Sequence, residues 1–339
     1  MANIVEVLIT LPLTDALLER LRNLSPRLRI SHYPAHKVEE IPDDVWTRCE
    51  VLYTDRVLPD PEKAPNLRWI QFHFAGIDFA VDSPLLNNPE VTATTLSGAA
   101  ASQMAEHILL MLLALGRRIP DLGAHQARAE WPKNRFERFM PKELRGSTVG
   151  LVGYGSIGRQ VARLLQPFGA IVLAAKRNAM HPEDTGYHQE GMGDPDGDFF
   201  ERLYPIQALD AMLKESDFIV VTVPLTQDTK GLIARPQFAL MKPGAFLVDV
   251  SRGGVVDQDA LLAALQDKRL GGAALDVFPE EPLPAASPLW KAPNLIITPH
   301  IAGNSPVYNE RAVDLFAENL NRYLVGLPLY NRFDVNKGY

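Results

Sequence analysis

Short apolar runs alternate with stretches of helical spacing along most of this chain. "VEVLIT" predicts a strand, and "LTDALLERLRNL", with leucines three and four apart, predicts an amphipathic helix. "LRISHY", "VLYTD", "LRWIQF" and "VTATTL" continue the strand pattern with short connections. Strands and helices that alternate in this way predict a mostly parallel sheet covered by helices on both faces. "SGAAASQMAEHILLMLLALGRR" then predicts a long helix with a small-residue start and a basic end. Its apolar stretch "HILLMLLALG" is too short to span a bilayer.

The polar, aromatic "AHQARAEWPKNRFERFMPKELRG" has mixed charge and weak periodicity, which predicts an exposed arm or an interface. A second alternation follows. "STVGLVG", "AIVLAA", "DFIVVTVP", "GAFLVDV", "GGAALDV" and "LIITPH" are six strand candidates, enough for one doubly wound domain. The final "ERAVDLFAENLNRYLVG" is a helix expected to return to the first domain, making that domain discontinuous.

Composition narrows the class. The 339 residues suggest about two domains, and 46% hydrophobic with 22% charged residues is ordinary for a globular protein. A net charge of −7 argues against nucleic-acid or anionic-membrane partners, which reward a basic surface. Cys49 is the one cysteine, which excludes an internal disulfide framework and a cysteine zinc cluster. A reducing, cytoplasmic setting is expected, and "MANIVEVLIT", with Glu6 and no early cation, does not resemble a signal peptide.

The strongest local chemistry lies in "STVGLVGYGSIGRQVARLL". Gly153, Gly155 and Gly158 form G-x-G-x-x-G between a strand and a helix, the pattern of a dinucleotide site. Gly153 makes the tight turn, Gly155 admits the pyrophosphate, and Gly158 lets helix pack on strand. The N–H groups of Ser156 and Ile157 would face the phosphates at the helix N-terminus. About twenty residues on, where an acid normally holds the adenine ribose, "AAKRN" places Lys176 and Arg177 instead.

Further segments resemble the D-isomer-specific 2-hydroxyacid dehydrogenase family. The resemblance rests on "DVSRGGVVDQDALLAAL", "GGAALDVFPEEP" and "IITPHIAG", supported by "MAEHILLMLLAL", "KELRGSTVGLVGYGSIG" and "VTVPLTQDTKGLI". It implies two doubly wound α/β domains. A flavodoxin-like substrate domain would comprise residues 1–103 and 304–339, and an inserted Rossmann cofactor domain residues 104–303. It also implies a homodimer formed through the central domain and the arm around Trp131.

The same resemblance puts the catalytic arginine, glutamate and histidine at Arg252, Glu281 and His300. Arg252 would clamp the substrate carboxylate and polarise its carbonyl. His300 would exchange the proton, and Glu281 would bond the other imidazole nitrogen and stabilise the imidazolium. Formate dehydrogenases resemble this fold with glutamine where Glu281 stands, so the intact pair favours a hydroxy or oxo acid. Backbone N–H groups of Phe74, Ala75 and Gly76 would also hold the carboxylate. Thr222, Val223 and Pro224 would pass beneath the nicotinamide ribose, Val250 and Ser251 would approach the nicotinamide, and Asp276 would orient its carboxamide.

Lys176 falls where members that prefer NAD carry aspartate, so the cation pair favours NADP, with NAD the alternative if one or both cations face solvent. The expected activity is reduction of a small 2-oxo acid such as glyoxylate or hydroxypyruvate. A nicotinamide-sensing, corepressor-like binding protein is the rival from another class. The acidic stretch "NAMHPEDTGYHQEGMGDPDGDFFERLYP" is expected to be a solvated loop, without a metal at His181 or His188.

Overall fold

The computed structural model describes residues 4–335 and 337–338. The chain divides into two compact units: one holds the residues through Ala100 and those from Ser305 onward, the other Ala101–Asn304. The expected limits of 103 and 304 thus move to 100 and 305, because Ala101–Gln103 already form the first turn of a helix in the second unit.

The first unit is built on five parallel strands: β1 (Val5–Ile9), β2 (Leu28–His32), β3 (Val51–Thr54), β4 (Trp69–Phe72) and β5 (Thr92–Thr94), in spatial order β2-β1-β3-β4-β5. That order is the flavodoxin-like one. Successive residues of β1 serve opposite faces. Val5, Val7 and Ile9 join Leu17, Leu18 and Leu21 of helix α1 (Asp15–Arg22), while Leu8 joins Val45 and Trp46 of helix α2 (Asp43–Arg48). The C-terminal helix Tyr308–Leu324 lays Val313, Phe316, Ala317 and Leu320 on the first of these faces, with Phe316 4.3 Å from the Tyr53 ring.

In the second unit helix α3 (Ala101–Gly116) leads into an arm that contains two short helices, α4 (Ile119–Ala127) and α5 (Arg135–Arg138). The basic pair expected at the end of α3 lies just beyond it, and Arg118 adopts a left-handed conformation with φ 56° as the chain turns into α4. The sheet follows: β6 (Thr148–Val152), helix α6 (Ser156–Leu165), β7 (Ile171–Lys176), β8 (Arg202–Pro205), helix α7 (Leu209–Glu215), β9 (Phe218–Val221), helix α8 (Arg235–Leu240), β10 (Ala245–Asp249), helix α9 (Gln258–Gln266), β11 (Leu270–Leu275) and β12 (Leu295–Ile297). All pairings are parallel and the order is β12-β11-β10-β9-β6-β7-β8. The order reverses between β6 and β9, the switch point at which Rossmann sheets take their dinucleotide.

There are seven strands here, not the six expected. β8 escaped the reading because it is a short edge strand: Arg202 and Pro205 are exposed, and proline at an edge needs no ladder partner for its nitrogen. β9 and β10, buried on both faces, read as unbroken apolar runs. Among the described residues no helix is long and apolar enough to cross a membrane.

Candidate active site

The strands of the second unit end on a common edge, and backbone hydrogen bonds continue past their ends. Thr222 N donates to Val152 O at 2.9 Å, Val250 N to Val221 O at 3.2 Å, Asp276 N to Asp249 O at 3.0 Å, and Thr298 N to Leu275 O at 3.0 Å. Residues separated by scores of positions in sequence therefore stand in one row at the carboxyl edge, where open α/β sheets bind ligands.

The glycine turn follows β6. Gly153 has φ 106°, a conformation that favours glycine, and Thr222 Oγ1 donates to its carbonyl at 3.1 Å. A Cβ on Gly158 would lie 2.3 Å from Gly153 O, so the third glycine is required by the contact of helix with turn. Gly155 differs. It is exposed, it caps α6, and a Cβ there would meet nothing within 4 Å. Among the described residues no contact demands glycine at this position, but a ligand brought against the backbone would. Ser156 and Ile157 open α6, whose first-turn N–H groups and dipole suit an anion. These residues fit a dinucleotide pyrophosphate.

Around the row, Thr222 and Val223 are half-buried and Pro224 is exposed, while Val250 and Ser251 are buried. Ser251 N donates to Asp249 Oδ1 at 3.0 Å, and the Ser251 hydroxyl donates to the same oxygen. Burial pushes the Asp249 carboxyl up to about 7, and the nearby Asp276 adds to the rise. Arg252 is half-buried, and its Nη1 donates to Ser251 O at 2.9 Å. The next residue, Gly253, would drive a Cβ to 2.1 Å from the carbonyl of Phe278. Glycine here presses the Arg252 turn against the main chain that leads into Glu281.

Glu281 and His300 meet directly. His300 Nδ1 lies 2.7 Å from Glu281 Oε2, while Glu281 Oε1 accepts the Phe278 amide at 2.8 Å. The bond to Glu281 assigns a proton to Nδ1, so Nε2 is the nitrogen turned to other partners. His300 holds φ 53°, the left-handed region, in a short turn where its own N–H reaches Thr298 O at 3.0 Å. Asp276, buried, secures that turn by accepting from the Thr298 hydroxyl at 2.6 Å, from Ile301 N at 2.9 Å and from Ala302 N at 2.9 Å. His107 of α3 approaches Thr298 Oγ1 at 3.4 Å, and burial lowers its imidazole below the usual range. The resemblance implies a carboxamide contact for Asp276, with strand-end capping the alternative, and neither includes this turn. Its support of the histidine turn depends on three bonds to residues 22 to 26 positions away.

Lys176 ends β7, and its Nζ donates to His181 O at 2.6 Å. Burial lowers its ammonium from the usual range, with the Arg159 guanidinium adding to the effect. Arg177 follows, with Nη2 4.0 Å from Asp228 Oδ2. The stretch beyond is a loop, exposed or half-buried from 177 to 192 as expected, but not solvated throughout. It folds back on α6, with Gly193, Asp194 and Gly197 buried. Arg159, 1% exposed, is the most buried of the residues that hold it, and nothing in a lone arginine after a glycine turn signals such burial. His181 Nδ1 faces Glu183 Oε1 at 3.1 Å, and among the described residues no three of His, Cys, Asp and Glu gather into a metal site. Phe74, Ala75 and Gly76 lie in the first unit after β4; Phe74 is half-buried and its carbonyl accepts Leu96 N at 3.0 Å, while Ala75 is exposed.

Comparison with known proteins agrees with this geometry. Residues 109–302 match the model of the D-isomer specific 2-hydroxyacid dehydrogenase family, NAD binding domain. A glyoxylate reductase of Thermofilum pendens is 34% identical over 277 residues, 81% of this chain and 77% of its own. An (S)-sulfolactate dehydrogenase of Chromohalobacter salexigens is 35% identical over 260 residues, 77% of this chain and 78% of its own. The crystal structure of a D-isomer specific 2-hydroxyacid dehydrogenase from Xanthobacter autotrophicus Py2, in complex with NADPH and MES, superposes with a TM-score of 0.80 at 27% identity, covering 100% of both chains.

Proposed function

The chain belongs to the D-isomer specific 2-hydroxyacid dehydrogenases, nicotinamide-dependent oxidoreductases, and we propose that within that family it reduces a small 2-oxo acid such as glyoxylate or hydroxypyruvate with NADPH. The observation that carries this reading is the 2.7 Å contact of Glu281 with His300 Nδ1 at the carboxyl edge of a sheet bearing a dinucleotide turn.

Reducing the carbonyl of a 2-oxo acid to an alcohol requires a hydride at carbon, a proton at oxygen and a grip on the carboxylate. The reduced nicotinamide, when bound, supplies the hydride. His300 gives the carbonyl oxygen its proton from Nε2, and Glu281 opposes the charge as the imidazolium forms and is spent. Arg252 stays charged throughout and offers a planar fork to the carboxylate and the carbonyl oxygen. The first unit is the substrate domain, with the backbone N–H groups of Phe74–Gly76 as its carboxylate donors, and the second is the cofactor domain. In the cofactor domain Thr222, Val223 and Pro224 support the ribose, Val250 and Ser251 adjoin the nicotinamide, and Asp276 holds the carboxamide as well as the histidine turn. Lys176 and Arg177 receive the 2′-phosphate. Lys176 has three N–H donors and gives one to His181 O, so two remain for phosphate oxygens.

The arm supports a homodimer. Trp131 is 83% exposed, Phe136 73% and Met140 62%, a grouping of large apolar side chains that a partner would cover. A cytoplasmic location suits its single cysteine, Cys49, which is buried.

Steady-state oxidation of NADPH against a panel of 2-oxo acids tests the reading. Turnover with glyoxylate or hydroxypyruvate is the expected result. Tight nicotinamide binding with no turnover on any 2-oxo acid would replace it with the corepressor-like reading.

A further inference from the structure

The segment between β7 and β8 is tied to the glycine turn and α6 by several side chains, of which Arg159 is the most buried. Arg159, in the first turns of α6, donates from Nη1 to Asp194 O at 2.5 Å and from Nη2 to Pro182 O at 2.5 Å and Glu183 O at 3.1 Å. Its Nε faces Asp184 Oδ2 at 3.6 Å, and its plane lies over the Tyr154 ring at 4.8 Å. Tyr154, in the glycine turn itself, donates its hydroxyl to Asp194 Oδ2 at 2.5 Å. The Asp194 carboxylate also accepts the amides of Asp198 and Phe199 at 2.9 and 3.0 Å, folding "DPDGDFF" into a closed turn. Gln160 Oε1 accepts Gly193 N at 2.7 Å, and Arg163 Nε donates to Gly193 O at 2.6 Å.

A buried guanidinium is costly unless its donors are met; here main-chain carbonyls from two distant points of one segment meet the Nη groups, while Nε makes no hydrogen bond and has the Asp184 carboxylate 3.6 Å away. Arg177, the first residue of the 25-residue connection, lies beside the ribose-binding end of β7, so the brace has a direct consequence for that end. The carbonyl next to Pro182, that of His181, is the one that receives Lys176 Nζ at 2.6 Å. Arg159 and Lys176 therefore grip adjacent carbonyls of the same segment. A lysine on its own samples many rotamers; one hydrogen-bonded to a fixed carbonyl has its head placed before any ligand arrives.

We infer that Arg159 is a positioning residue for cofactor selection: by pinning the connecting segment at Pro182 and Asp194 it fixes the His181 carbonyl, which places the Lys176 ammonium for the 2′-phosphate. The inference rests on the reading of Lys176 as a phosphate contact and adds the part that makes the contact selective. Tyr154 and Asp194 belong to the same brace, so the segment is hydrogen-bonded to the glycine turn itself.

The test compares NADPH and NADH as cofactors for the full-length enzyme with one 2-oxo acid, in wild type, Arg159→Gln, Tyr154→Phe, Lys176→Met and the Arg159→Gln/Lys176→Met pair. Arg159→Gln is expected to raise the KM for NADPH at least about fivefold, leaving kcat and the KM for NADH within about twofold. Tyr154→Phe, which removes one hydroxyl and keeps the ring, is expected to move the KM ratio the same way by about twofold, and carries the test if Arg159→Gln does not fold. In the Lys176→Met background Arg159→Gln is expected to change the NADPH/NADH ratio no further, since both act through one ammonium. Parallel rises in both KM values, or additive effects in the pair, would reduce Arg159 to a structural role and overturn the inference. If wild type prefers NADPH and Lys176→Met abolishes the preference while Arg159→Gln and Tyr154→Phe keep it, the inference alone fails. A wild type without NADPH preference, unchanged by Lys176→Met, removes the phosphate reading and the inference with it.

Discussion

Asp276 Oδ1 accepts the hydroxyl of Thr298 at 2.6 Å, and the same carboxylate takes the amides of Ile301 and Ala302, so one buried side chain brackets His300 from both sides. An asparagine offers one acceptor oxygen where the carboxylate offers two, and its NH2 would face amide donors. Asp276→Asn is expected to lower kcat at least about tenfold and to cost about 1–3 kcal/mol of stability. Steady-state kinetics together with thermal unfolding checks this; full activity with a lowered melting temperature would mean that the His300 turn holds without Asp276.

His300→Ala is expected to lower turnover at least about a hundredfold with little change in NADPH affinity, as loss of a proton donor should. Glu281→Gln, which keeps a partner for Nδ1 but removes the charge, should fall between this variant and wild type. Fluorescence titration of NADPH beside turnover measurements separates chemistry from binding. Near-normal turnover in His300→Ala would remove the residue from its role.

Arg252→Lys retains charge but loses the planar fork and the Nη1 bond to Ser251 O. The KM for the oxo acid should rise and kcat should fall, because carboxylate clamping and carbonyl polarisation both suffer. Unchanged kinetics would place the carboxylate on the Phe74–Gly76 backbone alone.

Replacing Lys176 by Asp and Arg177 by Ser should swing preference toward NADH, with the NADPH KM rising far more than the NADH KM. A wild-type preference of about ten- to a few-hundredfold is expected from charge-assisted contacts worth roughly 1.5–3 kcal/mol each before solvent screening. Added salt should weaken NADPH binding more than NADH binding in wild type. Equal salt dependence for the two cofactors would argue that neither cation meets the phosphate.

Asp249 gives a prediction in pH. Its carboxyl titrates near 4 in an unfolded chain and is pushed up to about 7 in the fold, mainly by burial. Between those values the folded protein keeps a proton that the unfolded chain releases. The stabilisation is therefore full below about pH 4 and is lost as the pH rises through 7. Asp249→Asn, with no charge to bury, should gain on wild type by about 2–3 kcal/mol between pH 5 and pH 8. Chemical unfolding at the two pH values reads the difference; a gap that does not widen with pH would show that the carboxyl is already ionised in the fold at pH 5.

Much of this molecule could be read from the chain because its signals are local. The strand runs of both sheets, the G-x-G-x-x-G turn and the motifs around Arg252, Glu281 and His300 each rest on near neighbours in sequence: periodicity, a positive φ at Gly153, a strand end meeting a helix start. What the sequence could not disclose was settled by partners far along the chain. Edge strand β8 has no apolar alternation and exists because β7 offers it a ladder. The acidic connection looked fit only for solvent, since its composition is polar, yet Arg159 turns its carbonyls inward and orders it. Asp276 reads as a strand-end acid until Thr298, Ile301 and Ala302 are brought to it. Periodicity and turn chemistry are properties of a short stretch, and so they survive in one dimension. The satisfaction of a buried charge is a property of whatever the fold brings within about 3 Å of it, and only the folded chain decides that.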